Sequence, residues 1–402
     1  MLGVTKLLCE TSEICEDMDS QNPSPRLLQF SRDKRPVVVW NITRRCNLRC
    51  IHCYSDSTDQ DYPWELTTEE GIALINDLAA FKTPVIIFSG GDPLLREDIF
   101  YLASYSRNKG IRCALSVNGT LIDRNVAKRI KEAGFAYVGV SIDGVGEVND
   151  SFRGVRGAYE KALQGMRFCR EEDIRVGIRF TLSKKTIGQL PLIFDLAEKE
   201  DIPRLYVSHL VYSGRGERIK KDDLSHEETR MAVDYIFDRT LDFWRRDIHK
   251  DILTGNNDTD GVYLYLRVKR DNPQKAEKVY KLLKMRGGNS SGVAIGCVDS
   301  LGFVHADQFW FHYSFGNVKE RPFSEIYQDI SDPLMKGLKN KMKMVKGRCR
   351  LCEYLEICGG NYRVRAEVMT GDVWASDPAC YLTDEEIGIY EDSRFKIQDS
   401  RF

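Results

Sequence analysis

A chain of 402 residues that is 42% hydrophobic and 30% charged has the composition of a folded globular protein, which excludes disorder, collagen and coiled coil. Its 59 basic and 60 acidic residues leave a formal net charge of −1, so no global field draws it to nucleic acid or to an anionic membrane. No apolar run reaches the roughly 18 to 20 residues that span a bilayer, and the acidic beginning lacks the apolar core of a secretory peptide, so a cytoplasmic protein without membrane contact is expected.

About 35 polar, Pro-containing residues come first and are expected to form a separate N-terminal segment, 1–35. Short β-branched runs then alternate with helical patterns: 37–42, 85–88, 113–117, 137–142, 176–182 and 205–211. Between the first two, Thr67 and Glu70 form a capping box, followed by an apolar stripe of Ile72, Ile75 and Ala79. Gly110 and Gly134 stand where helices end in a left-handed residue. Strict alternation of strand and helix implies right-handed crossovers and a parallel sheet. The fold class expected is α/β, a partial (β/α)6 TIM-like barrel over 36–212.

From Ser213 the pattern changes to a charged helical stretch that ends in the polar turn 254–258, read as a linking segment over 213–260. The remainder, 261–402, holds a strand-like run at 262–268, a helix after Asn272-Pro273, a hairpin around Gly302 and a Cys-rich, Gly-rich tail.

Twelve cysteines are too many for chance, and without a signal peptide they point to metal binding or reactivity rather than disulfides. Seven fall into two clusters. Cys46, Cys50 and Cys53 follow the first strand as Cys-x3-Cys-x2-Cys, with Tyr54 next. Three thiolates in eight residues suit an iron–sulfur cluster or zinc. Zinc would need a fourth ligand, for which the nearby His52 is badly placed; three ligands leave one iron of a cubane open. Near the C-terminus, Cys349, Cys352 and Cys358 are followed by Cys380, four ligands that could close a structural zinc site or a second cubane.

The first cluster, at the end of the first barrel strand, resembles the signature of the radical S-adenosylmethionine (SAM) superfamily. That resemblance implies a [4Fe-4S] cluster whose open iron chelates SAM and whose electron releases a 5′-deoxyadenosyl radical. Gly90, Gly91, Asp92 and Pro93 after the second strand resemble the family's GGEP motif, with Asp92 in place of Glu. Ser116 and Asn118 end the third strand and Ser141 and Asp143 the fourth, where the family contacts the ribose and methionyl groups. Arg153 resembles the arginine that holds the SAM carboxylate. All stand at C-terminal strand ends, the face on which βα barrels build sites.

The C-terminal array resembles the auxiliary-cluster part of SPASM and twitch extensions, which implies two [4Fe-4S] clusters in all. A full SPASM domain would carry a third set. Here Tyr362 and Asp307 replace two of its cysteines and only Cys297 remains, as a free thiol or a neighbour of the substrate.

Within the superfamily, the stretches 1–8, 37–46 and 304–323 resemble the tetrapyrrole-modifying group. This implies an iron tetrapyrrole substrate from which acetate side chains are removed, giving Fe-coproporphyrin III, or propionates in haem d1 synthesis. It also implies an electron donor such as a ferredoxin or flavodoxin. Barrel arginines (Arg44, Arg45, Arg49, Arg156, Arg179, Arg215) suit the substrate's carboxylates, with His305 and His312 as candidate iron ligands and Trp310 as an aromatic wall. The alternatives are a peptide-maturing enzyme with the same extension and a non-enzymatic iron–sulfur or zinc sensor.

Overall fold

Strands whose two faces are both covered need continuous apolar runs rather than alternation, and the β-branched runs are built in this way. In the computed structural model, which describes residues 1–18 and 35–390, they fold as β2 (Val37–Thr43), β3 (Val85–Gly90), β4 (Arg112–Val117), β5 (Tyr137–Ser141), β6 (Val176–Leu182) and β7 (Arg204–His209). Neighbours pair in parallel throughout, and Trp40, Ile86, Phe88, Val138, Ile178 and Val207 are fully buried between the sheet and its helices.

The sheet extends beyond the six strands expected. On one side β8 (Asp251–Gly255) pairs in parallel with β7, and β1 (Leu2–Gly3) caps it antiparallel. On the other, β9 (Ile295–Val298) pairs in parallel with β2 and forms a hairpin with β10 (Val304–His305). Gly302 in that turn has φ +94, so the hairpin read around it is present. The order is β1-β8-β7-β6-β5-β4-β3-β2-β9-β10, a curved sheet without closure among the described residues.

The sheet therefore crosses the boundaries expected at 212/213 and 260/261, because β8 and β9 come from the presumed linker and extension. The N-terminal segment is also part of the fold: Leu2, Val4, Leu7 and Ile14 are buried, and Thr5 Oγ1 accepts from Ile252 N while donating to Lys250 O. The Pro-containing stretch 19–34 lies outside the described residues.

The strand-like run at 262–268 is instead inside the helix Thr259–Asp271. Its alternating apolar residues wrap a helix covered on more than one side, by the helix Pro273–Arg286 and the turn Leu355–Cys358. The capping box forms as expected: Glu70 N donates to Thr67 Oγ1, and Thr67 N to Glu70 Oε2. The buried face of that helix is Gly71, Leu74, Ile75 and Leu78, so Ile75 alone of the expected stripe is fully covered. Gly110 and Gly134 take φ +85 and +80 after their helices.

Candidate functional site

The loop after β2 carries Cys46, Cys50 and Cys53 to the C-terminal end of the sheet, where all three line one cavity with Tyr54, Gly90, Gly91, Ser116, Asn118, Ser141 and Arg153. The loop is fixed by the next turn: Gly91 N donates to Thr43 O and Asp92 N to Arg45 O, both 2.8 Å. Only glycine permits this approach. A Cβ on Gly90 would lie 2.2 Å from Thr43 O, and one on Gly91 would lie 2.0 Å from Arg45 O.

Two of the three sulfurs meet N–H donors, and the third, Cys53 Sγ, lies 3.4 Å from Ser55 Oγ. Cys46 Sγ accepts from Leu48 N (3.5 Å) and from Asn118 Nδ2 (3.9 Å), and Cys50 Sγ accepts from Arg153 Nη1 (3.6 Å). Burial pushes the Cys46 thiol up to about 12 and raises that of Cys50, so these sulfurs need a metal to hold them as thiolates. Three thiol donors on one loop, with N–H and hydroxyl groups against their sulfurs, fit a thiolate-ligated cluster with one open iron. Among the described residues no three His, Cys, Asp or Glu side chains converge on a single-ion site; the thiols form the walls of a larger space.

Arg153 lines the cavity while its Nη2 pairs with the fully buried carboxylate of Asp143. Asp143 Oδ1 accepts from Thr181 N (2.8 Å), and His52 Nε2 lies 3.6 Å from Oδ2. Asp143 thus orients Arg153 from behind and is not itself in the cavity lining. Asp92 plays a similar part: its oxygens accept from Leu94 N (3.1 Å) and Asn118 N (2.9 Å), tying the glycine turn to the end of β4. Burial raises its carboxyl to about 6. Pro93, buried, starts the turn Pro93–Leu95 behind the lining. His52 is held neutral by burial, its pKa lowered to about 4.

Tyr54 Oη donates to Asn41 Oδ1 at 3.0 Å and lies 3.0 Å from Ser89 Oγ, its ring edge-on to Phe309. At the far end of the chain, Cys349, Cys352, Cys358 and Cys380 line a second, separate cavity with Thr259 and Asn361. Cys380 Sγ accepts from Arg348 Nη1 (3.2 Å) and Cys352 Sγ from Tyr354 N (3.3 Å), the same N–H surroundings as in the first loop.

Residues 40–197 match the radical SAM superfamily. The chain is 55% identical to Fe-coproporphyrin III synthase of Methanosarcina barkeri over 97% of this chain and 100% of that one. The chain belongs to the radical SAM superfamily. This radical SAM enzyme is also 46% identical to pre-heme d1 synthase of Dinoroseobacter shibae, over 92% of each chain. Its fold is shared with native anSMEcpe with bound AdoMet, at a TM-score of 0.68 and 18% identity, covering 90% of this chain and 97% of that one. That is a radical SAM fold with the SPASM/twitch type of extension. No helix among the described residues is long and apolar enough to cross a membrane.

The histidines expected to face a substrate iron do not reach the cavity. His305 is buried away from the cavity lining, with Nδ1 2.7 Å from Tyr313 O and Nε2 3.2 Å from Asp299 Oδ2, so neither ring nitrogen is available to iron. His312 is half exposed, also outside the lining, and pairs with Glu367 at 2.8 Å. Trp310 is fully buried and outside the lining; Phe309 forms the wall instead. Cys297 is buried on β9, accepting from Asn41 Nδ2 (3.4 Å), one side chain removed from Tyr54.

Of the six arginines, Arg179 alone lines the cavity, donating to Ser116 Oγ. Arg215 braces the cysteine loop through Cys50 O, and Arg45 pairs with exposed Asp59. The lining residues that sequence reasoning missed include His209, at the end of β7, Asp258 after β8, and Arg286 and Ser291 of the extension. No periodicity marks them, although His209 stands at the strand end where a site is expected. Asp307 and Tyr362, where the third cysteine set is broken, bond to each other: Tyr362 Oη donates to Asp307 Oδ2 at 2.9 Å. Both line the cavity.

Proposed function

We propose that this radical SAM enzyme acts in haem biosynthesis, removing acetate side chains from 12,18-didecarboxysirohaem to give Fe-coproporphyrin III. The observation that carries the reading is the 55% identity with an Fe-coproporphyrin III synthase along nearly the whole of both chains. Cys46, Cys50 and Cys53 would hold a [4Fe-4S] cluster, which would supply the electron that splits SAM into methionine and the 5′-deoxyadenosyl radical. Gly90 and Gly91 present backbone to the SAM amino group, Arg153 takes its carboxylate, and Ser116, Asn118 and Ser141 line the side of the cavity assigned to its ribose and methionyl parts.

Cys349, Cys352, Cys358 and Cys380 would hold a second [4Fe-4S] cluster, fully ligated by protein. Electrons would come from a ferredoxin or flavodoxin. Arg179 and Arg286, on the cavity wall, are suited to the substrate's carboxylates. The 46% identity with a pre-heme d1 synthase favours a second reading on the same substrate, loss of propionates.

The test is anaerobic incubation of the reconstituted enzyme with SAM, reductant and didecarboxysirohaem, with products identified by mass. Loss of two acetates is expected, and propionate loss would support the second reading. Modification of a peptide, with no tetrapyrrole turned over, would place the enzyme among the peptide-maturing members. Iron analysis should find about eight irons per chain, two cubanes of four; four irons, or zinc at the C-terminal site, would refute the second cluster.

A further inference from the structure

His209 closes β7 at the cavity and is buried apart from its cavity face. Its Nε2 lies 3.0 Å from Asp260 Oδ2, and the other oxygen of that carboxylate accepts from Tyr381 Oη at 2.9 Å. Asp260 and Tyr381 are both buried, so the chain Tyr381, Asp260, His209 is fixed from within the protein. A carboxylate facing Nε2 makes that nitrogen the N–H donor and leaves the lone pair on Nδ1. Among the described residues Nδ1 has no hydrogen-bond partner, and it is not among the polar atoms sealed off without one.

A ring whose second N–H is held by a carboxylate is the usual arrangement of a metal-binding histidine, since the carboxylate fixes both tautomer and orientation and makes the free nitrogen more basic. Carboxylates also face Nε2 of His52, His249, His305 and His312, but none of these rings presents a free nitrogen to the cavity. His52, the second histidine on the cavity wall, has its Nδ1 sealed and its ring against Phe152; His305 has both nitrogens engaged; His226, His249 and His312 lie outside the lining. Arg179 and Arg286 share the cavity with His209 and offer cations for the carboxylates of a macrocycle.

We propose that His209 is the axial ligand of the substrate's iron, with Asp260 and Tyr381 as positioning residues. The proposal rests on the iron-tetrapyrrole reading above, and the experiment separates the two. The anaerobically reconstituted full chain is titrated with ferric coproporphyrin III and, separately, with metal-free coproporphyrin III, followed by absorption, fluorescence and electron paramagnetic resonance. The wild type should bind both, and only the iron form should show a nitrogen-ligated spectrum.

His209→Ala should lose that spectrum and bind the iron form about tenfold more weakly, with the metal-free form bound as before; added imidazole should restore the spectrum. His209→Gln, which keeps a side chain of similar reach, serves if the alanine variant does not fold, and Asp260→Asn should give an altered spectrum without abolishing binding. An unchanged iron spectrum in the His209 variant that folds would overturn the ligand assignment while leaving the tetrapyrrole reading standing. A wild type that binds neither porphyrin would overturn both.

Discussion

Asp143 and Arg153 form an ion pair deep under the side of the cavity proposed to take SAM, and breaking such a pair is costly because it strands a charge away from water. Asp143→Ala leaves the Arg153 guanidinium with Cys50 Sγ as its remaining hydrogen-bond acceptor among the described residues and frees Thr181 N from its acceptor. A loss of about 3–5 kcal/mol is expected, read as the shift in urea unfolding free energy, together with weaker SAM binding. A surface pair behaves differently. His312 is raised above its ordinary value first by its hydrogen bond to Glu367, and so contributes stability that is complete below about pH 6.5 and is lost as pH rises through the higher folded value. Half exposed, the pair is worth under about 1 kcal/mol. Unfolding of the wild type and of His312→Gln should therefore differ slightly at pH 6 and coincide at pH 9. At this scale the cysteines and glycines were legible because their chemistry requires those residues at that spacing. The roles of Asp92 and Asp143 were legible only as positions, since whether a carboxylate faces the cavity or braces it depends on the backbone N–H groups that reach it. His305 and His312 were misplaced for the same reason: a hairpin sequence carries no record of which side packs inward.

At the scale of elements, the cysteine loop and the glycine turn hold each other. The contact of Gly91 with Arg45 is backbone against backbone, so no rotamer can relieve it. Gly91→Ala should displace the loop that bears Cys46, since overpacking of this kind costs about 1–3 kcal/mol, lowering SAM affinity by at least about tenfold and bringing iron content towards half, with the C-terminal array retained. Iron analysis and equilibrium dialysis with SAM measure the two effects, and unchanged binding would show that the turn does not position the cluster loop. The six central strands were readable because parallel strands covered on both sides carry continuous β-branched runs. The edges were not. β1 and β10 are two residues each, too short to have a period, and β8 and β9 sit among polar turns. Residues 262–268 of the helix Thr259–Asp271 look strand-like in sequence because Val262, Leu264 and Val268 are buried while Tyr263, Tyr265 and Leu266 pack partly against the core. Burial on several sides removes the polar stripe by which a helix is recognised.

At the scale of the whole molecule, the extension is joined to the barrel by buried charge as well as by strands. Arg365, in the helix Arg363–Thr370, pairs with Asp377 with both side chains fully buried, and donates to Leu210 O after β7 and Asn256 O after β8. Arg365→Met leaves Asp377 without its cation and those carbonyls without a donor; a loss of about 3–5 kcal/mol is expected, with early release of the extension in limited proteolysis.

The cavity that this junction encloses, about 250 Å³, lies below the roughly 300–1,000 Å³ usual for one drug-sized ligand, yet in the proposed reaction it must take SAM and a tetrapyrrole together. One wall has to yield. The strand ends that carry Gly90, Ser116, Ser141 and His209 are locked in the parallel ladder. Residues 306–322, which contribute Asp307, Gln308 and Phe309 to the lining, contain neither helix nor strand. Local opening draws on segments with few ladder hydrogen bonds, so these amides should exchange faster than those of β2 to β7 in the free enzyme. They should then slow on addition of SAM and Fe-coproporphyrin III together, more than with SAM alone. Hydrogen exchange followed by mass spectrometry reads this directly; protection appearing first in the barrel helices, with 306–322 unaffected, would mean that the cavity widens by another route.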